Sequence, residues 1–460
     1  MIQVAITSTW SRLMGIVALL IFIVVTVVMN VIVKRPISES LLVALVGASL
    51  AGGTQALPLL WRSATGAVAN DVTFAGMAFV FMGVVVAATG LIERLIEIFN
   101  SVFGRLRGGA AYVSTVGSAA VGLVAGSTAG NAATVGSVTI PWMKSTGWSG
   151  PRAATLVAGN SGLGVSLPPN STMFILLATP AAVGVSSGDV YVALAVAGTY
   201  CVLYRLALVW FWTRKDGVPA TPAELVVRFG VALRQGWSST LIFIGILVPV
   251  LLTFGPLSRF LSSPDRVGED AIGSISIIVW VPILISVIAL IEGRKRLRAR
   301  WPEFVKSMRR EIPQFSTVGV SLFAALAASG VMEELGVGPQ LSGMLDGLAL
   351  PKALMVAVVC VLCVIVATPL SSTATAAAIG APAVLGLISV GVPPVVAICT
   401  VLVCTSTEGA SPPVGAPIYL ASGLAEVNPS TTFLPLVTYF VIPIIFIGWL
   451  LGMGFLPIPS

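Results

Sequence analysis

The sequence predicts an all-α, polytopic membrane protein assembled as an inverted-topology repeat, with two re-entrant hairpins and two discontinuous helices. Three observations carry that expectation. Of 460 residues, 57% are hydrophobic and 9% charged, where a soluble domain carries roughly a quarter charged residues. The apolar runs come in blocks of about twenty, the length that crosses a bilayer as helix, and lipid forbids open strand edges. Finally, the chain is written twice.

The repeat is read from spacing. "VVAATGLIERL" at 85–95 matches "ALAASGVMEEL" at 325–335, an offset of 240. "NAATVGS" at 131–137 matches within "TATAAAIGA" at 373–381, setting Asn131 over Thr375 and Gly136 over Gly380 at an offset of 244. At that offset Pro168-Pro169 falls on Pro412-Pro413, and 37 residues separate Asn131 from Pro168 as they separate Thr375 from Pro412. Small residues recur by chance in membrane helices, whereas a spacing shared by several motifs does so far less readily.

Each half then divides alike. Residues 1–212 form the first repeat, with spans at 13–33, 37–60 and 73–93, a small-residue hairpin at 110–143, a broken helix at 152–182 and a closing helix at 190–212. Residues 213–236, with Arg214, Lys215, Arg228 and Arg234, form an amphipathic surface linker. Residues 237–460 repeat the plan, with spans at 237–257, 273–291 and 313–332, a hairpin at 353–391, a broken helix at 393–424 and a closing helix at 433–455. The run 13–33 after Arg12 is too long for a signal core and no A-x-A-like cleavage site follows, so it is read as the first permanent span.

Charge sets orientation. The net charge is +7, and the stretch Arg294 to Arg310 carries eight Lys/Arg against one acid. It reads as a cytoplasmic loop under the positive-inside bias, not as a nucleic-acid surface. Lys34 and Arg35 put the first loop inside, and Arg94, Arg105, Arg107, Lys144 and Arg152 place both ends of the first hairpin there. Glu333, Glu334 and Asp346 precede the second hairpin, which therefore enters from outside, with Lys352 the one dissenting charge. Opposed halves are a design of secondary transporters, with sites near the bilayer midplane.

The candidate chemistry lies at the hairpin tips and helix breaks. Ser127, Thr128 and Asn131 supply oxygens at the first tip, and Thr368, Ser371, Ser372, Thr373 and Thr375 at the second. A hydroxyl that bonds its own preceding turn is common in membrane helices, but two clusters at equivalent positions favour ligands. Pro168-Pro169 and Pro412-Pro413 each remove backbone donors, and a carbonyl left bare in hydrocarbon costs several kcal/mol. Uncharged carbonyls and hydroxyls at half-helix ends suit a small hard cation such as sodium, and half-helix N-termini favour an anionic group. From 353 to the end the only charges are Glu408 and Glu426. Glu408, beside a helix break, is functional by default, as a cation ligand or as a proton carrier. A solute is expected against Asn131, Asn170, Ser171, Thr375 and Glu408. Arg152 and Arg205 fall near expected helix ends, so no arginine is placed inside the membrane to clamp a carboxylate.

Enzyme chemistry is not expected. "GNSG" at 159–162 has the form of an intramembrane serine protease motif, but no histidine occurs anywhere to act as its base. Nor is a zinc site expected, without histidine and with the five cysteines, Cys201, Cys360, Cys363, Cys399 and Cys404, confined to apolar spans. Cys360-Val-Leu-Cys363 reads as core packing.

The chain resembles the large membrane subunit of tripartite ATP-independent periplasmic (TRAP) transporters. The resemblance rests on "VKRPISESLLVALVG" (33–47), "GRLRGGAA" (104–111), "GSTAGNAATVGSVTIPWMKSTGWS" (126–149), "SLPPNS" (166–171) and "SPPVGAPIYLASGLA" (411–425). It implies the ion-transporter-superfamily fold and an elevator mechanism, in which a domain holding both hairpins slides on a scaffold, driven by a sodium gradient. It also implies a bacterial inner-membrane location and two partners: a small four-helix membrane subunit and a periplasmic solute-binding protein delivering a small organic acid. No cofactor is implied beyond sodium ions. Carried over by position, sodium ligands are Ser127, Thr128, Asn131, Gly164 and Pro168 in one half, and Thr368, Ser371, Ser372, Thr375, Thr405, Ser411 and Pro412 in the other. Asn131 stands where many members have Asp or Thr, and hydroxyls replace an acid in the second hairpin. The alternatives are a stand-alone proton- or sodium-coupled carrier, with Glu408 holding the proton, and a channel.

Overall fold

The structure is a computed structural model that describes residues 13–125, 128–220, 226–253, 256–263, 265–268, 271–272, 275–337, 339–340, 350–368, 370–413 and 415–459. Its regular elements among these residues are all helices, and the one β-type pairing is an isolated bridge, Arg107 to Ala220. Seven of the described helices are long and apolar enough to cross a membrane. Apolar side chains stand outward, with Leu57 75%, Trp61 72% and Leu434 76% exposed, which suits a lipid-facing wall and not a water-facing one.

The first half contains α1 (Met14–Val27), α2 (Ile37–Leu50), α3 (Ala56–Ala69), α4 (Asp71–Thr89), α5 (Leu91–Phe103), α6 (Gly109–Ala125), α7 (Thr128–Ser145), α8 (Gly150–Asn160), α9 (Leu163–Ser166), α10 (Ser171–Leu177) and α11 (Ser187–Lys215). α12 (Phe229–Gly236) follows in the linker. The second half contains α13 (Ile242–Thr253), α14 (Pro256–Leu261), α15 (Ile277–Ala299), α16 (Trp301–Glu334), α17 (Lys352–Ala367), α18 (Ser372–Ser389), α19 (Pro394–Thr405), α20 (Ala416–Ala425), α21 (Ser430–Leu436) and α22 (Ile442–Met453).

Several elements depart from the expected limits, each for a local reason. The span at 37–60 ends at Leu50, because Gly52 and Gly53 follow and Gly53 turns at φ +58°. The span at 73–93 starts at Asp71, with the Asn70 side chain accepting from Val72 N at 2.9 Å, and stops at Gly90, φ +72°. An unexpected helix, α5, follows it. The basic stretch 294–310 is not a loop: α15 and α16 run through it and turn only at Arg300. Lys, Arg and Leu are good helix formers, and Pro302 falls in the first turn, where proline is tolerated. α16 has 34 residues, about 50 Å at 1.5 Å per residue, well beyond the thickness of a bilayer core. Of the linker 213–236, α11 takes the start through Lys215 and α12 the end, while 221–225 fall outside the described residues.

Two groups of helices result. α1 to α4 pack with α13, α15 and α16, while the hairpin arms α6–α7 and α17–α18 pack with the broken helices and with α11 and α22. Within the second group the halves keep register. α7 and α18 each have 18 residues and start 244 positions apart, and α8 and α19 start at the same interval. Pro168-Pro169 and Pro412-Pro413 are both cis. Gly162 lies against the carbonyl oxygen of Ser406, its own partner at the 244 interval. A position that touches its equivalent marks the axis relating two copies, as at an isologous interface. The hairpins lean across that axis. Gly136 on α7 meets Leu424 on α20, and Gly380 on α18 meets Leu176 on α10.

The two glycines matched at the 240 offset are used differently. Gly90 ends α4, whereas Gly330 lies inside α16, where a Cβ would come 3.0 Å from the Ser63 hydroxyl.

Candidate functional site

Each double proline interrupts a helix, and the freed carbonyls find partners in the chain. At the first break Asn170 Nδ2 donates to Val165 O at 2.8 Å and Leu167 O at 3.0 Å, and its Oδ1 accepts from Met173 N at 2.8 Å. Asn170 is 1% exposed, so one amide bridges the interruption and starts the next helix. At the second break the Ser411 hydroxyl donates to Thr407 O at 2.8 Å and the Tyr419 hydroxyl to Pro413 O at 2.5 Å.

Glu408 lies on the short 3-10 turn between α19 and the second double proline. Its Oε1 accepts from the Thr128 hydroxyl at 3.3 Å. Its Oε2 accepts from Ser372 N at 3.1 Å and from the Ser372 hydroxyl at 2.5 Å. The Ser372 hydroxyl also lies 3.1 Å from Thr405 O. Thr128 and Ser372 are the first residues of α7 and α18 and are repeat partners at 244. One carboxylate therefore ties both hairpin tips. Its own repeat partner is Gly164, which has no side chain to do the same.

A cavity of about 330 Å³ opens beside Glu408, walled on one side by Thr128, Asn170, Ser171, Ser371, Ser372 and Thr373, and on the other by Ile37, Gly76, Phe79 and Thr317. It thus separates the hairpin group from the α1–α4 and α16 group. Ser371 caps α18 by accepting from Ala374 N at 3.1 Å. A larger cavity, about 680 Å³, lies between α3, α16 and the Thr179–Ser187 turn, near the Arg62–Glu334 ion pair of 2.6 Å.

The remaining expected residues sit elsewhere. Asn131 and Thr375 do not line the Glu408 cavity. Asn131 Nδ2 donates to Ser118 O at 2.8 Å inside the first hairpin, while its Oδ1 and the Thr375 hydroxyl are buried without partners. Gly164 and Pro168 are buried behind the break, and Pro412 is half-buried. The hydroxyls of Thr368 and Thr405 bond Val364 O at 2.9 Å and Leu402 O at 3.0 Å, in their own preceding turns. Ser127 lies outside the described residues.

Sequence reasoning missed two features. Asn160 Nδ2 donates to Thr115 Oγ1 at 3.0 Å, and Asn160 Oδ1 and Ser118 Oγ are, like Asn131 Oδ1, buried and unmatched. Thr115 and Ser118 are three apart on α6 and share a face, so unpaired oxygens gather where α6, α7 and the end of α8 meet. The second feature corrects an expectation. Arg205 is not near a helix end. It lies ten residues inside α11 and is 1% exposed.

A family model for the tripartite ATP-independent periplasmic transporter DctM component matches residues 16–457. The chain belongs to that family. Among curated relatives it is 24% identical over 204 residues to the C4-dicarboxylate TRAP transporter large permease protein DctM of Pseudomonas aeruginosa, covering 44% of this chain and 45% of that one. It is 26% identical over 196 residues to the 2,3-diketo-L-gulonate TRAP transporter large permease protein YiaN of Escherichia coli, covering 42% and 43%. Over 187 residues it is 27% identical to the isethionate TRAP transporter permease protein DctMQ of Oleidesulfovibrio alaskensis, covering 40% and 29%. The aligned stretches thus span less than half of each of these relatives. Among solved structures, the YdaH transporter of Alcanivorax borkumensis superposes with a TM-score of 0.63 at 17% identity, over 97% of this chain and 98% of that one. MtrF of Neisseria gonorrhoeae follows with a TM-score of 0.59 at 13% identity, over 86% and 84%. Both similarities concern the fold.

Proposed function

We propose that this DctM-family chain is the transport subunit of a sodium-coupled secondary transporter that carries a small anionic organic solute inward across a bacterial inner membrane. Its partners are a periplasmic solute-binding protein and a small four-helix membrane subunit, and TRAP appears in the names of the three relatives above. The observation that carries the reading is the position of Glu408, bound to both hairpin tips at the edge of a cavity shared with the other helix group.

The chemistry follows from charge. Glu408, the Thr128 and Ser372 hydroxyls and the Thr405 carbonyl present hard oxygens to a cation. An anionic solute entering beside a bare carboxylate is repelled: two unit charges 4 Å apart interact by about 4 kcal/mol at an effective dielectric of 20. That is roughly a thousandfold in affinity. Sodium bound at Glu408 removes the penalty, so solute binding waits for the ion, and this obligation is the coupling. Asn170, Ser171, Ser371 and Thr373 then face the solute, and Asn131 and Thr375 hold unpaired oxygens deeper in the two hairpins. Movement is by an elevator stroke in which the hairpin group slides along the plane marked by the cavity, against Gly76, Phe79 and Thr317.

The test is uptake by proteoliposomes holding the chain with its partners. Replacing external sodium by potassium abolishes accumulation. Accumulation that ignores this exchange and follows a pH gradient would overturn sodium coupling and make Glu408 the proton carrier. Accumulation without any binding protein would instead favour a stand-alone carrier.

A further inference from the structure

Arg205 has no place in the chemistry above, yet it is the most heavily buried cation among the described residues. Its Nη1 donates to Cys201 O at 3.2 Å, one turn back on α11, and its Nη2 to Gly159 O at 3.3 Å. Its Nε is buried without a partner. None of the ion pairs among the described residues includes it, and the nearest ring, that of Phe440, lies 6.0 Å from Cζ. A guanidinium stays protonated in proteins, and an uncompensated charge inside a membrane protein is expensive and is retained where it acts.

Its surroundings say how it acts. Gly159 is in the last turn of α8, and the carbonyl end of a helix carries about half a negative charge. In broken membrane helices such carbonyl ends are where coupling cations are held. The guanidinium also approaches the crossing of the two breaks, because a Cβ built on Gly162 would meet both Ser406 O and, at 3.4 Å, Arg205 Nη2. The other half is a built-in comparison. There the closing helix offers Gly448 and Trp449 at the corresponding height, and a Cβ on Gly448 would meet Cys404 on α19. The fold needs no arginine at this position, since its second copy lacks one.

We propose that Arg205 is a tethered cation. It fills the carbonyl end of the first half-helix with a charge that never leaves, so no mobile ion binds there and the travelling cation is confined to the Glu408 side. The proposal deepens the sodium-coupled reading and rests on it for the word travelling, but its test does not need transport.

The experiment compares the full-length chain, wild type, Arg205→Met and Arg205→Lys, in detergent. Thermal stability is recorded against sodium chloride, with choline chloride at equal ionic strength as the control. A ligand that binds only the folded state raises the melting temperature with its concentration. Arg205→Met, which keeps the length and loses the charge, opens the vacated end to a free ion. Its sodium-specific rise exceeds that of wild type by at least about 2 °C, and Arg205→Lys behaves as wild type. An Arg205→Met response to sodium equal to that of wild type overturns the proposal, as does an Arg205→Lys response as large as that of Arg205→Met. Arg205→Met protein recovered folded only in sodium supports it, and protein unfolded in both salts overturns it, since a free ion then cannot replace the tethered one. A wild type silent to sodium beside a responsive Arg205→Met sinks sodium coupling at Glu408 and leaves the tethered cation standing.

Discussion

Ser372 presents Glu408 with two donors on one carboxylate oxygen, its backbone N–H at 3.1 Å and its hydroxyl at 2.5 Å, while Thr128 reaches the other oxygen at 3.3 Å. The carboxylate is thus held by the second hairpin and only touched by the first. Hydrogen bonds to charged groups are worth about 1.5–3 kcal/mol, and weaken with length. Ser372→Ala should raise the sodium concentration for half-maximal uptake about tenfold, and Thr128→Val less than about threefold. The reverse order, read from sodium titrations of uptake, would contradict this geometry.

Removing the charge itself should uncouple the protein. Glu408→Gln keeps the shape and the Ser372 contacts but no longer repels an anion or attracts a cation. Its accumulation ratio under a fixed sodium gradient should fall to about one, since a penalty of about 4 kcal/mol no longer links the two binding events. A ratio equal to that of wild type would leave the carboxylate without a part in coupling.

Asn170 should prove a structural post as well as a wall of the cavity. Asn170→Ala strands the carbonyls of Val165 and Leu167 and uncaps α10. At about 1–3 kcal/mol for each buried group left unpaired, the loss should appear as a fall of several degrees in melting temperature. The neighbouring Ser171→Ala, at a half-buried position, should leave stability unchanged and alter only the solute KM.

The axis residue allows a steric test. Gly162 has no room for a methyl against Ser406 O, whereas a Cβ on Gly423 meets nothing within 4 Å. Gly162→Ala should cost about 1–3 kcal/mol by overpacking. Gly423→Ala should stabilise by about 0.5–1 kcal/mol, the usual gain for a helical glycine. Thermal melts of the two variants side by side settle it.

What the sequence revealed were features written in single residues against an apolar background. The double prolines and Glu408 stand out because a missing N–H or a charge in hydrocarbon is costly wherever it occurs; Pro169 and Glu408 line the cavity, and the second pair follows directly after the turn that carries Glu408. Spacing exposed the 244 register, which the helix starts keep. Less was legible where meaning depended on partners. α5 escapes a search for continuous apolar runs because Glu93, Arg94 and Glu97 break the run, although in the helix they fall outside the buried face of Leu91, Ile92, Leu95, Ile96 and Ile98. Arg205 lies well inside its helix because α11 runs on past 212 to Lys215, and its burial depends on the packing of α6, α9 and α19 around α11. The Asn160–Thr115 pair joins positions 45 apart, which no local pattern announces.

The exchange of Gly136 onto Leu424 and Gly380 onto Leu176 has a consequence for biosynthesis. Each inner hairpin arm rests on a helix that belongs to the opposite end of the gene product. A nascent chain that has emerged only through α11 holds its first hairpin without the segment that will cover it, and must keep that small-residue face waiting in the membrane until α20 leaves the ribosome. Neither portion is a folding unit, so two fragments divided within the linker should survive proteolysis in the cell only when they are made together.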